Sequence, residues 1–416
     1  MHMQVSIYSV SRELVAPVVC DYVFWILCEA QKRGITTLYF LARDGYTLKK
    51  IAEIICEKRK ISVECRYLYC SRASLRMPSY NILGDEMYDL IFQGGYHVTL
   101  RSFFERAGIS QDKWPEILKE VGIDIATEIN HELAYGEISD YKERFKRSNM
   151  FRAQVLKNSQ SAYSDAIGYF RQEYLLNQKH IAIIDSGWTG SMQRSIRQLL
   201  ESAGFRGKIT GFYFGLYVCP QDPADGEYLS WYFSGNSAKK NKIFFCNNLF
   251  ECILSAPHGM TLRYEKKEDY VPVLLPPPEE KQLQKINDQI AGLLDGARER
   301  MEKGMTASRS KSERTLRSIM GRPSKELAEL YGEFAFCDDI TENYHFSLAD
   351  AKQQDRLKDY LIIPRVLRKL SHKAQGKRAP ELFWPYGDAA FISNPIKRAW
   401  YWGNIYLWEW LKYTLK

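Results

Sequence analysis

HIAIIDSGWTGS (residues 180–191) is the stretch on which the reading of the fold turns. His180 to Ile184 is a short, almost unbroken apolar run, the pattern of a strand buried on both faces. It runs into Asp185, Ser186, Gly187, Trp188, Thr189, Gly190 and Ser191, which read as a polar turn. Met192 to Ala203 then predicts a helix, with Ile196, Leu199, Leu200 and Ala203 on one face. The same unit recurs upstream. ITTLYFLA (35–42) predicts a strand, Arg43-Asp44-Gly45 a tight turn, and Tyr46 to Lys58 an amphipathic helix. Val63 to Cys70 predicts another strand, ending at Ser71-Arg72, and Ile209 to Val218 a fourth. A helix over residues 16–33 precedes them, with Pro17 in its first turn and Gly34 past its end. Repeated strand–turn–helix units predict an α/β domain with a mainly parallel sheet flanked by helices. Ligands of such sheets bind at the carboxyl ends of the strands. The turns 43–45, 71–72 and 185–191 all fall there.

The remaining sequence is read around that core. Residues from about 75 to 178 predict a helical insertion, or hood. Phe250 to Leu254 fits helix or strand, and SAPHG (255–259) is a loop. Leu275-Pro276-Pro277-Pro278 marks a linker. The expected organisation is an α/β domain over 1–265, a linker over 266–282 and a helical region over 283–416. The 416 residues are 45% hydrophobic and 26% charged, which excludes wholesale disorder. The net charge is +8, and residues 266–416 hold 26 basic against 21 acidic side chains. That excess is too diffuse for a nucleic-acid footprint. The nine cysteines are scattered without a CxxC pair, so reduced thiols are expected rather than a disulfide framework or zinc site. No segment reaches ~18 uninterrupted apolar residues. The amino terminus lacks the pattern of a secretory signal. A cytoplasmic protein is expected.

The polar turns have chemistry of their own. Backbone amides and hydroxyls of Ser186, Gly187, Thr189, Gly190 and Ser191, ahead of a helix, form a phosphate cradle. Asp185 beside them suits sugar hydroxyls. The plainer readings are that Asp185 caps the helix, that Arg43-Asp44 is a surface ion pair, and that Arg72 and Arg76 lie on a solvated face. Trp188 fits either packing or stacking against a ligand.

Asp185, Thr189, Gly190 and Ser191 resemble the phosphoribosyl-diphosphate (PRPP) loop of type I phosphoribosyltransferases, with Ser186 where that loop has a second acidic residue. FLARDGY (40–46), YCSRASLRMPS (69–79), IIDSGWTGSMQ (183–193) and FECILSAPHG (250–259) together resemble a family encoded in bacterial polysaccharide loci. Its members are the phosphoribosyltransferase half of ribofuranosylation, often accompanied by a haloacid-dehalogenase-type phosphatase. The resemblance covers roughly residues 5–265. It implies transfer of ribose 5-phosphate from PRPP, with Mg²⁺, to a glycan acceptor, expected to be lipid-linked, in surface-polysaccharide synthesis. A separate phosphatase then removes the 5-phosphate. It also implies 5-phosphate binding by Ser186, Gly187, Thr189, Gly190 and Ser191. Diphosphate contacts fall to Arg43, Gly45, Ser71 and Arg72. Asp44, Asp185, Glu251 and His258 are the catalytic candidates, with Asp44 first as base. Two alternatives stand beside this reading: a nucleobase phosphoribosyltransferase, and a non-catalytic PRPP-binding regulator.

The C-terminal region adds two features. Arg365, Arg368, Lys369, His372 and Lys373 share one helical face, either a charged surface or a contact for phospholipid or an acceptor diphosphate. Five of the nine Trp lie in the C-terminal third. Aromatics from Trp400 to Tyr413 surround the last helix, which predicts either a buried closing helix or one lying at a membrane interface.

Overall fold

Alternation along the strands decides how the chain is layered. The computed structural model describes residues 5–95, 97–124, 129–220, 226–235, 239–336, 346–366 and 382–414. Five strands form one sheet: β1 (Thr37–Leu41), β2 (Glu64–Leu68), β3 (His180–Trp188), β4 (Lys208–Leu216) and β5 (Glu227–Ser234). Their order is β2-β1-β3-β4-β5, and every neighbouring pair is parallel. Successive side chains of a strand point to opposite faces. Leu38, Phe40, Ala182, Ile184 and Phe212 therefore enter one core cluster, and Tyr39, Leu41, Ile181, Ile183 and Ile209 another.

Helices cover both faces. On the first lie α1 (Ala16–Lys32) and α2 (Gly45–Arg59), which bury Val19, Val23, Leu48 and Ile51. On the second lie α3 (Arg72–Leu83), α4 (Asn149–Gln172) and α5 (Ser191–Ser202), which bury Leu75, Phe170, Ile196 and Leu199. The stretch between α3 and α4 is helical and has its own cluster around Phe103, Phe104, Phe145 and Phe151. Four further helices matter below: α6 (Lys239–Phe244), α7 (Asn247–Ile253), α8 (Glu280–Glu302) and α9 (Pro395–Thr414).

Several elements differ from the sequence expectation. β3 continues past Ile184 to Trp188, so Asp185, Ser186 and Gly187 belong to the strand rather than to a loop. The reason is a glycine pair. Gly187 lies opposite Gly215, and a Cβ on Gly187 would stand 2.0 Å from the Gly215 carbonyl oxygen. Without side chains there, the ladder runs on to Trp188 and Leu216. β5 has no counterpart in the sequence reading. Residues 266–274, read as linker, include β7 (Tyr270–Leu274), which pairs antiparallel with β6 (Thr261–Lys266). The 250–254 segment is helical. The last helix is two-sided rather than aromatic all round: Tyr401, Ile405 and Trp408 are buried, while Ile396, Trp400, Leu407 and Trp410 form an exposed stripe.

The C-terminal third shares a core with the sheet. Ile286, Ile290 and Leu293 of α8 join the cluster that holds α1. A buried polar link ties the same layers. Asp21 of α1, 3% exposed, accepts from Arg300, from the Ser308 amide at 3.1 Å and from Ser312 Oγ at 2.8 Å. Removing one partner of a buried charge pair costs about 3–5 kcal/mol. Asp21→Ala should therefore lower stability by about that amount in urea denaturation. An unchanged unfolding midpoint would show that the two layers dock without this link.

Candidate active site

The winding of the sheet changes direction between β1 and β3. β1 is flanked by β2 on one side and β3 on the other, which is the switch point of a doubly wound sheet. Asp44 follows β1 and immediately precedes α2, and Asp185 lies near the end of β3. Glu251 reaches them from α7. Burial pushes the Asp44 carboxyl well above the ordinary range, and the charges of Glu251 and Asp185 add to it. Ser186 and Arg43 oppose that rise. Asp185 is pushed up to about 7 by burial and then by Glu251, against the Ser186 amide, Arg72 and the Gly187 amide. Like charges gathered so closely do not all ionise at neutral pH, so the cluster retains a proton.

Distant elements hold these carboxyls in place. The buried Tyr22 hydroxyl of α1 is shared between the carbonyls of Asp185 (3.1 Å) and Phe212 (3.0 Å). Trp188 Nε1 donates to Glu251 Oε1 at 2.6 Å. The Trp188 ring packs among Tyr217, Phe233, Phe245 and Phe250. Its role is thus packing and positioning of Glu251. Gln289 of α8, fully buried, donates to the carbonyls of Cys252 (2.9 Å) and Ile253 (2.5 Å). It satisfies the orphan carbonyls at the end of α7, the helix that carries Glu251.

The expected phosphate residues divide into two groups. Thr189, Gly190 and Ser191 stand at the amino end of α5, which has no side-chain cap. Thr189 and Ser191 are exposed, and Gly190 adopts the left-handed conformation. Ser186 and Gly187 lie in the strand beneath. Ser186 Oγ is buried beside Asp44, with no hydrogen bond of normal geometry among the described residues.

The diphosphate candidates also separate. Arg43 lies among Asp44, Tyr67, Cys252 and His258, whose ionisation its charge influences. Gly45 opens α2 under β1, where a Cβ would come within 2.6 Å of the Phe40 carbonyl carbon. Ser71 serves as a helix cap. Its Oγ accepts from the Ser74 amide at 3.1 Å and donates to the Thr261 carbonyl at 2.5 Å. It thereby starts α3 at Arg72, which is exposed and close enough to lower the Asp185 pKa.

His258 is not a free base. Nδ1 lies 2.8 Å from the Gly259 carbonyl and so carries the proton. Nε2 is left to accept from the Tyr67 hydroxyl at 2.9 Å. Rings of Tyr46, Tyr67 and Tyr69 surround the imidazole at 6.0, 5.8 and 5.1 Å, and burial holds its pKa below the usual value. Sequence reasoning missed Tyr67 and Tyr69. Their only signal was alternation at the end of β2, beside a turn already of interest.

Arg365 is buried against Tyr360 (3.7 Å) and Trp408 (4.8 Å) rather than on a solvated face. Arg368, Lys369, His372 and Lys373 lie outside the described residues. Trp400 is exposed, as an interfacial reading requires. No helix among the described residues is long and apolar enough to cross a membrane. No protein-family model matches the chain, and no curated protein matches its sequence.

The raised carboxyl pKa values have a stability consequence. A carboxyl titrating at about 4 when unfolded and at about 7 when folded stabilises the fold below pH 4. That contribution is lost as pH rises through 7. Wild-type stability should fall across this window. In Asp185→Asn the fall should be shallower, as read from urea midpoints at successive pH values. Parallel pH profiles would exclude the strained carboxyl cluster.

Proposed function

We propose that this protein is a PRPP-dependent phosphoribosyltransferase that adds ribose 5-phosphate to a phosphate-bearing, lipid-linked glycan acceptor. The observation that carries the reading is the meeting, at the sheet's switch point, of Asp44 and Asp185 with the uncapped amino end of α5. The type I phosphoribosyltransferase assignment rests on this arrangement and on the turns that the sequence shares with that family. The parallel five-strand order alone serves other doubly wound folds as well.

The 5-phosphate sits on Thr189, Gly190 and Ser191, where free amides and the helix dipole favour an anion. Arg43 and Arg72 take the diphosphate. Asp185 lies at the ribose. Asp44 and Asp185 are the groups that donor-bound Mg²⁺ would face. Their burial and mutual repulsion fit a divalent cation, although among the described residues no group of three acidic, His or Cys side chains has the arrangement needed to hold a metal by itself. When bound, Mg²⁺ neutralises diphosphate charge. The C1–oxygen bond to diphosphate breaks as the acceptor hydroxyl bonds to C1 from the opposite face. Its proton passes to the carboxyl cluster, with Asp44 the first candidate for the base. Positive charge developing on the ribose is stabilised by the remaining carboxylates. A separate phosphatase acts on the product. The donor restricts the reaction to the cytoplasm.

The exposed stripe of Ile396, Trp400, Leu407 and Trp410 supports work at the cytoplasmic membrane surface. Beside it runs a groove of about 880 Å³ lined by Lys240, Arg314, Arg322 and Trp402. Aromatic rings at headgroup depth next to cationic side chains suit an anionic bilayer. Trp400→Gln with Trp410→Gln should leave the fold intact and reduce binding to phosphatidylglycerol-containing vesicles in a flotation assay. Undiminished flotation would remove the membrane from the reading.

The central test is incubation with PRPP, Mg²⁺ and lipid-linked or synthetic glycans, read by mass as pentose-phosphate addition. Asp185→Asn and Arg43→Ala should each lose about 10²–10⁴-fold in rate. Full activity in either overturns the assignment. Transfer to free nucleobases would favour a salvage enzyme, and PRPP binding without turnover a regulator.

A further inference from the structure

Beyond Trp188, on the carboxyl side of β4 and β5, lies a second cavity of about 360 Å³. Phe245, Trp384 and Tyr413 give it aromatic walls. Lys239, Lys242, Arg365 and Lys412 bring positive charge to it. The one carboxylate on its lining, Glu409, is paired with Lys412 at 3.1 Å.

Lys242 is the unusual member. It is only 4% exposed, yet no carboxylate among the described residues pairs with it. Its ammonium lies 5.8 Å from the ring centres of Phe233 and of Tyr413. Burial lowers its pKa, and the neighbouring charge of Lys239 lowers it further. Two other cations show the usual arrangement: the half-buried Arg300 pairs with Asp21, and the buried Arg106 donates to the carbonyls of Ile91 and Gln93. A buried charge without a partner is unfavourable, and an anion entering the cavity would relieve it.

We infer that this cavity binds the phosphate or diphosphate group of an amphiphilic ligand, whose apolar or planar portion lies against the aromatic walls. The inference deepens the proposed transfer reaction and rests on it for the ligand's role as acceptor. Asn247 and Asn248, at one end of α7, line the cavity, while Glu251, further along the same helix, belongs to the carboxyl cluster. An acceptor anchored by its phosphate at Lys242 is thereby held beside the donor site, on the far side of Trp188.

Calorimetric titration of the full chain tests this without any turnover. Arg43→Ala serves as the background, since it weakens the proposed donor-diphosphate site. The probes are geranyl diphosphate, inorganic pyrophosphate and geraniol. Geranyl diphosphate should still bind the Arg43→Ala protein. Adding Lys242→Met should weaken that binding at least about tenfold, the usual cost of losing a charge-assisted hydrogen bond. Lys242→Met should also raise the urea midpoint, because an unpaired buried charge has gone. Lys412→Ala, at the exposed rim, should weaken binding without altering the fold. Equal affinity with and without Lys242, or no diphosphate binding in the Arg43→Ala background, overturns the inference. Pyrophosphate binding as tightly as geranyl diphosphate identifies a soluble phosphate compound as the source. Preference for geranyl diphosphate, with geraniol inert, identifies a lipid diphosphate. Because this readout involves no PRPP, cavity binding that survives while transfer fails would disprove the reaction and leave the site standing.

Discussion

Burial of the Asp44 and Asp185 carboxyls, with the charge of Glu251 nearby, is the constraint around which the carboxyl edge of the sheet is organised. Such a cluster is unfavourable in a folded protein and persists only where the surroundings over-determine it. Here the supports come from three directions. Tyr22 braces the Asp185 backbone from α1, Trp188 grips Glu251 from β3, and Gln289 closes the end of α7 from α8. The amides of Ser186 and Gly187 favour the charged form of Asp185 and stop its pKa from rising further. A site built this way gains from any ligand that brings positive charge or a transferable proton.

Those supports also explain why the C-terminal third shares a core with the sheet. Gln289 and Asp21 are buried polar residues whose partners lie hundreds of positions away or across a proline-rich junction. Each satisfies groups that would otherwise be stranded in an apolar core. Helix α9 then closes the assembly with Tyr401, Ile405 and Trp408 inward, which leaves its opposite face to solvent or to a surface. The two readings of this helix, closing and interfacial, therefore describe two sides of one cylinder.

Much of the architecture was legible in the linear sequence because it is written in local periodicity. Apolar runs at 37–41 and 180–184 mark strands buried on both faces, and the polar turns after β1, β2 and β3 mark the carboxyl edge of the sheet. The acidic residues Asp44 and Asp185 were found this way. Other features had no local signal. β3 runs on through Gly187 only because Gly215 faces it. The cap role of Ser71 has no local signature of its own, because a helix cap and a phosphate donor use the same hydroxyl. Arg365 was read as exposed because the residues that bury it, Tyr360 and Trp408, include one far along the chain.

The sequence by itself determined the α/β class, the helical insertion and the edge of the sheet where chemistry would gather, since each follows from spacing along a few neighbouring residues. Only the tertiary structure decided which charges are shared and which are left unpaired. Glu251 meets Asp44 and Asp185, His258 is bonded at both nitrogens, and Lys242 is buried with no carboxylate paired to it among the described residues. Electrostatic environment depends on what approaches through space, and residues distant in the chain supply it.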